Sequence, residues 1–134
     1  GDEWAKRIPG SEESIYQGGF HFVDFTDIDN PVETAIYQVP EVGSHNHWVE
    51  GDILYAGYYY GGIRVLDISG ELLGDLYAQG REIAFFEGRD PNGKIPNETN
   101  VWGVIPYKGL IYFADHYNGL WAVRLVDDEP MGTN

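Results

Sequence analysis

The feature that most constrains this chain is a recurring unit in which glycine is followed by an apolar run that closes on Asp and a hydroxyl residue. It occurs as Phe20-His21-Phe22-Val23-Asp24-Phe25-Thr26 after Gly18-Gly19, and as Ile63-Arg64-Val65-Leu66-Asp67-Ile68-Ser69 after Gly61-Gly62. A third version runs from Asn118-Gly119 into Leu120-Trp121-Ala122-Val123-Arg124-Leu125-Val126. Gly19 and Gly62 lie about 43 residues apart and Gly62 and Gly119 about 57, a spacing that points to four-stranded propeller blades. The excess sits in the loop near Asp90. At the longer offset Ile53-Leu54-Tyr55 matches Leu110-Ile111-Tyr112, and Tyr60 matches Tyr117.

The densest instance is Ser44 to Ser69, SHNHWVEGDILYAGYYYGGIRVLDIS. Here Ile53-Leu54-Tyr55-Ala56 stops at Gly57, resumes as Tyr58-Tyr59-Tyr60, turns at Gly61-Gly62 and returns as Ile63 to Ile68. A Gly-Gly pair supplies the positive φ angles that a tight turn between right-twisted strands requires, so the stretch reads as a β-hairpin. Asn46-His47-Trp48-Val49 joins it through Glu50-Gly51-Asp52, which makes a three-strand meander. Glu71 to Gln79 (ELLGDLYAQ) follows Asp67 as Val32 to Val39 (VETAIYQV) follows Asp24, and reads as the fourth strand of the unit. Arg81 to Phe86 reads as a short extra strand. Asp27-Ile28-Asp29-Asn30-Pro31, the loop from Glu87 to Thr99, Pro106 to Gly109 and Asn118-Gly119 carry turn chemistry. Strands are expected at Asn100 to Ile105, Leu110 to Ala114 and Leu120 to Val126. Residues 1–14 read as an irregular arm, 15–126 as the blades and 127–134 as a polar tail.

The expected fold is therefore all-β: a β-propeller segment of about three four-stranded antiparallel blades, with a small β-sandwich as the alternative. Strands apolar on both faces favour the propeller, because each sheet is then held between two neighbours, whereas a sandwich alternates more cleanly. The 18 Gly and 15% aromatic residues suit short strands joined by tight turns. With 134 residues there is room for one domain. The net charge of -14 argues against nucleic acid, which needs a basic footprint, and against an anionic membrane surface. The absence of Cys removes disulfides, thiolate zinc sites and cysteine catalysis. No apolar run approaches the roughly 20 residues of a membrane-spanning helix. The chain opens on Gly1 without a signal-peptide pattern, as a processed or excised segment of something longer would.

Phe20 to Thr26 and Gly61 to Ser69 resemble the repeat core of the LVIVD-repeat family, bacterial and archaeal propellers named for a strand of that type. Asp27 to Tyr37 is similar to the family's linker between its third and fourth strands. Pro96-Asn97, Asn100 to Val104, Gly109 to Tyr112 and Asn118-Gly119-Leu120 resemble the closing blade near the C-terminal end. The likeness covers roughly Gly18 to Leu125 and departs at Arg124, where the first two repeats carry Asp24 and Asp67. It implies a propeller with more blades than this chain supplies, since rings normally need four to eight. The missing blades are then expected on another chain or on a severed part of a longer one.

Candidate chemistry begins with His45-Asn46-His47, since residues i and i+2 of a strand share a face and two imidazoles there can share a metal. Asp115-His116 lies in the equivalent neighbourhood of the next unit, so His45, His47, Asp115 and His116 are candidates to converge at the channel end. The preferred alternative is that the histidines hydrogen-bond at a strand entry. The letters HNH also spell a nuclease motif, but its ββα context and basic surface are missing. Tyr58, Tyr59 and Tyr60 with Trp48, Trp102 and Tyr117 are candidates for an aromatic platform for a sugar or other flat ligand, the preferred alternative being rings that fill space between blades. Asp24 and Asp67 suit turn-stabilising hydrogen bonds better than acid–base chemistry. Asp90-Pro91-Asn92-Gly93 ahead of Glu98 carries calcium-like oxygens, but its spacing fails the EF-hand pattern and a turn is preferred. Asn97-Glu98-Thr99 is a formal glycosylation sequon.

No Ser-His-Asp arrangement, phosphate-binding loop or dinucleotide fingerprint is present. The expectation is a non-catalytic binding or scaffolding module, extracellular, periplasmic or at the cell surface. Its expected partners are the remaining blades or another protein chain, with no membrane span and no assigned cofactor. The alternative is a metal-binding or enzymatic propeller using the channel-end histidines.

Overall fold

The computed structural model describes residues 5–7, 14–16 and 18–126, the first two stretches by backbone alone. The chain is all-β, and among the described residues no helix is long and apolar enough to cross a membrane. Its strands are β1 Ala5–Arg7, β2 Ser14–Tyr16, β3 Gly19–Asp24, β4 Val32–Gln38, β5 His47–Glu50, β6 Ile53–Tyr58, β7 Gly62–Asp67, β8 Gly74–Asp75, β9 Glu82–Phe86, β10 Val101–Tyr107, β11 Leu110–Asp115 and β12 Gly119–Val123. β1, in the stretch expected to be irregular, pairs antiparallel with β2. The rest of that arm and the expected polar tail at 127–134 lie outside the described residues.

The expected meander forms: β5, β6 and β7 pair antiparallel in sequence order. Gly51 opens the first turn at φ 58, and the β6–β7 hairpin closes by pairing Tyr58 with Gly62 at φ 75. The β11–β12 hairpin repeats that closure, pairing Asp115 with Gly119 at φ 83. Between β10 and β11, Lys108 and Gly109 both take positive φ, the geometry of a type I′ turn. Pro106 falls inside β10, which is tolerated because β10 is the edge of its sheet.

The fourth strand of the central sheet is Glu82–Phe86, not Glu71 to Gln79. Gly70 and Gly74 both adopt positive φ, which breaks the period-two run of that segment. Asp75 then accepts the Ala78 N–H at 2.9 Å, and the Gln79 side chain donates to the Leu73 carbonyl at 2.6 Å, folding the segment into a turn. Only Gly74–Asp75 pairs, parallel to Ala35 and Ile36 of the first sheet. Leu76 drops fully buried into the core beneath.

The sheets have the orders β3-β4-β8, β5-β6-β7-β9 and β10-β11-β12, besides the β1–β2 pair. Among the described residues only the central one has the expected four antiparallel strands. By repeat position, β3 and β4 match β7 and β9, whereas β10 to β12 match β5 to β7.

Alternate side chains of β6 and β7 leave opposite faces of the central sheet. Leu54, Ala56, Tyr58 and Leu66 join Phe20, Ala35 and Tyr37 of the first sheet in one core. Ile53, Tyr55, Ile63 and Val65 join Val101, Val104, Ile111 and Phe113 of the third sheet in another. Three sheets thus stack around two cores.

A buried polar network crosses the first interface. Arg64 of β7 donates from Nε to the Gly61 carbonyl at 3.0 Å and from Nη1 to Glu82 of β9 at 3.3 Å, with Glu87 at 3.8 Å and the Phe85 ring 4.7 Å beneath its guanidinium. The Tyr37 hydroxyl of β4 donates to the same Glu82 carboxylate, and burial with that carboxylate pushes the phenol well above its usual range. At the matching position of the third sheet stands Trp121, whose buried Nε1 finds no partner among the described residues. Among the described residues that sheet has no fourth strand to bring it one.

Four expected outcomes follow from chemical denaturation. A Cβ at Gly62 would lie 2.2 Å from the Phe86 carbonyl oxygen, so Gly62→Ala is expected to cost more than about 2 kcal/mol, while Lys108→Asn relieves a strained φ and gains about 0.5 kcal/mol. Glu82→Gln leaves Glu87, 3.8 Å away, as the nearest carboxylate to Arg64 and is expected to cost about 2–3 kcal/mol, and Tyr37→Phe in the same background is expected to cost less than Tyr37→Phe alone.

Candidate functional site

The chain enters β5 through Ser44, His45 and Asn46, laced to two sheets at once. His45 N–H donates to the Gly57 carbonyl and Gly57 N–H to the Asn46 carbonyl, each at 2.8 Å, while Asn46 N–H donates to the Trp102 carbonyl of the third sheet at 3.1 Å. Val101 N–H donates to the Tyr59 carbonyl at 2.9 Å. This approach requires Gly57, since a Cβ there would lie 2.7 Å from the Trp102 oxygen.

The seam stacks three rings. The Trp102 indole lies between the His45 imidazole, 5.1 Å away at 22°, and the His116 imidazole, 5.2 Å away at 28°. Tyr59 meets His45 edge-on at 5.2 Å, and Tyr117 meets His116 edge-on at 5.9 Å. Trp102 Nε1 donates to Asn100 Oδ1 at 2.6 Å. His45 Nδ1 lies 3.1 Å from the Trp102 carbonyl oxygen, which can only accept, so Nδ1 donates in this contact.

Asp115 is buried beneath this seam. Its Oδ2 accepts from the Thr99 hydroxyl at 2.5 Å and Asn100 N–H at 3.2 Å, and its Oδ1 accepts from Tyr117 N–H at 2.8 Å and Asn118 N–H at 3.1 Å. The carboxylate is committed to holding the 116–118 turn. Asn118 extends the hold through Nδ2 to the carbonyls of Gly88 and Glu98 at 2.7 and 2.8 Å.

Of the residues singled out from the sequence, His45, Tyr59, Trp102, His116 and Tyr117 come together, with Asp115 below them. His47 does not join His45, because β5 starts at His47 and the residues before it turn toward Trp102. It faces the first sheet instead, edge-on to Phe20 at 5.1 Å, and lines a cleft of about 500 Å³ with Phe22, Val49 and Leu54. No group of three or more His, Asp or Glu able to hold a metal occurs among the described residues. Trp48 is half-exposed on the edge strand β5, Tyr60 sits at a turn, and Tyr58 is fully buried with its hydroxyl on the Tyr37 carbonyl at 3.1 Å.

The flat-ligand platform is therefore not assembled as a set of open rings. Trp102, 44% exposed, has an imidazole on each face and offers its edge. What the seam presents is a ridge of stacked rings with polar rims, suited to hydrogen bonding and edge contacts. Asp24 and Asp67 behave as turn residues: Asp24 accepts from Thr26 N–H at 2.8 Å and its hydroxyl at 2.6 Å, and Asp67 accepts from Ser69 N–H at 2.8 Å. Asp90 likewise accepts from Asn92 N–H at 2.7 Å and closes a turn. The residues that sequence reasoning passed over are Arg64, Glu82 and Tyr37, and the available signal was a cation at an inward position of an otherwise apolar strand.

These carboxylates and His47 give stability two pH dependences. Hydrogen bonds from Thr26, Asn30 and Ser69 hold Asp24, Asp27 and Asp67 below the usual carboxylate value of 3.8, so their contribution is complete above about pH 4 and is lost as pH falls through the lowered values. Partial burial lowers the His47 imidazole below 6.5, so the unfolded chain takes up its proton first and stability falls as pH drops from about 6.5 through the lowered value. His47→Gln is expected to flatten the higher window and leave the lower one, as read from urea midpoints between pH 3 and 8. No protein-family model, curated protein or solved structure matches this chain.

Proposed function

We propose that the chain is a segment of a larger β-propeller and acts as a non-catalytic binding or scaffolding module in an exported or cell-surface protein. The observation that carries this reading is the central sheet, a four-stranded antiparallel meander buried on both faces between two sheets of related sequence. Face-to-face stacking of repeated meanders is the grammar of propeller blades. The resemblance of Gly61 to Ser69 to the LVIVD repeat points the same way, and it alone supports the exported location.

The binding surface in this reading is the ring ridge at the seam of the central and third sheets. Strand entries and hairpin turns of neighbouring repeats meet there, where ligands can contact several repeats at once. Its partner is a protein surface or the remaining blades. Intact mass and gel filtration of natively purified material test the proposal. The expected result is an assembly heavier than 15.1 kDa, and a stable, well-behaved monomer of these residues alone overturns it.

A further inference from the structure

A glycine stands at the head of one strand in each repeat: Gly19 in β3, Gly62 in β7 and Gly119 in β12. In the first two repeats the next strand of the sheet crowds it. A Cβ at Gly19 would lie 2.8 Å from the Tyr37 carbonyl oxygen of β4, and one at Gly62 would clash with the Phe86 carbonyl oxygen of β9. At Gly119 a Cβ would meet nothing within 4 Å. The same opening runs along the strand. β3 and β7 pair antiparallel with β4 and β9, whereas among the described residues nothing pairs with the outer edge of β12. Val123 at its end lines a cavity of about 180 Å³ with Leu125 and with Ala84 and Phe86 of β9. The buried Trp121 Nε1 has no acceptor, although Arg64 at the matching position has one in Glu82, which the fourth strand supplies.

We infer that the outer edge of β12 receives an extended segment of a partner polypeptide, paired antiparallel as the fourth strand of the third sheet. The main chain of an edge strand pairs with any extended segment, and alternate side chains then select which one. The β9 strand is the template for that selection. There Phe86, Phe85, Ala84 and Glu82 stand opposite Ile63, Arg64, Val65 and Leu66, and Glu82 reaches back to Arg64. On β12 the matching positions are Leu120, Trp121, Ala122 and Val123, so the partner residue opposite Val123 reaches back to Trp121 Nε1. An indole N–H donates but carries no charge to offset a buried carboxylate, so that residue is Gln, Asn, Ser or Thr rather than Glu. The segment belongs to a separate chain because the local return is missing. Asp24 and Asp67 accept from Thr26 and Ser69, turning the chain out of β3 and β7 before it supplies β4 and β9. Arg124 stands at that position, and its guanidinium can accept nothing. This edge is distinct from the ring ridge, and its occupant follows from the repeat register whatever the number of blades.

Amide NMR spectra of the isotope-labelled whole chain test this, with a synthetic peptide copying residues 80–88 (GREIAFFEG) as the probe, once unchanged and once with Glu82→Gln. The Gln peptide is expected to shift the Leu120 to Val123 amides and Trp121 Nε1–H saturably below about 1 mM, and to bind at least about 10-fold more tightly than the Glu peptide. Trp121→Phe in the protein is expected to erase that preference while the other β12 amides still shift and the far-UV circular dichroism is unchanged. If neither peptide shifts β12 saturably, or if both bind equally to the unaltered chain, the inference is overturned. It is overturned as well if all four amides from Leu120 to Val123 are already protected from hydrogen exchange in the free chain, since the chain then fills the edge itself. Each of these failures leaves the propeller reading standing, because that reading is decided by the mass of the native assembly.

Discussion

The structure depends on one constraint: β6 and β7 are apolar on both sides. Fully burying one such side chain contributes about 1.5–3 kcal/mol, and here the residues divide between two faces, so neither sheet–sheet interface alone can satisfy the pair. A single covering layer would leave Ile63 and Val65, or Leu54 and Leu66, in water. The outer sheets are the two halves of that requirement.

Apolar stacking is non-directional, and polar features give each interface its own identity. At the first, Arg64, Glu82 and Tyr37 join β7, β9 and β4 through one carboxylate, which lets the first sheet sit at only one height on the second. At the second, the Trp102 carbonyl presses against Gly57 and accepts from Asn46, so backbone contact sets the spacing there. The repeat conserves shape rather than chemistry. Tyr58 and Asp115 occupy matching hairpin positions; one sends a hydroxyl across to the first sheet, while the other gathers the N–H groups of its own turn.

Much of the fold was legible because glycine and Asx chemistry is local. Gly62 and Gly119 marked hairpins through the φ angles they permit, and Asp24 and Asp67 marked turns by accepting from residues two positions on. The fourth strand was misplaced because Glu71 to Gln79 is apolar enough for a strand, and only the paired backbone shows that Gly70 and Gly74 bend it away. The site was half legible. Period-two reasoning joined His45 to His47, but it holds only inside a strand, and His45 lies two residues before one. The Trp102 sandwich and the Arg64 network are long-range, and local sequence carries little trace of either.

β6 and β7 belong to both cores through one backbone, with consecutive residues serving opposite sides. A slip of one residue in their pairing would exchange the two sets, sending Tyr55 and Val65 toward the first sheet and Leu54 and Leu66 toward the third. Each interface therefore proofreads the register on behalf of the other. A substitution that loosens one core also weakens the alignment of strands that the opposite core requires, so the two ends of the stack communicate without any side chain spanning them.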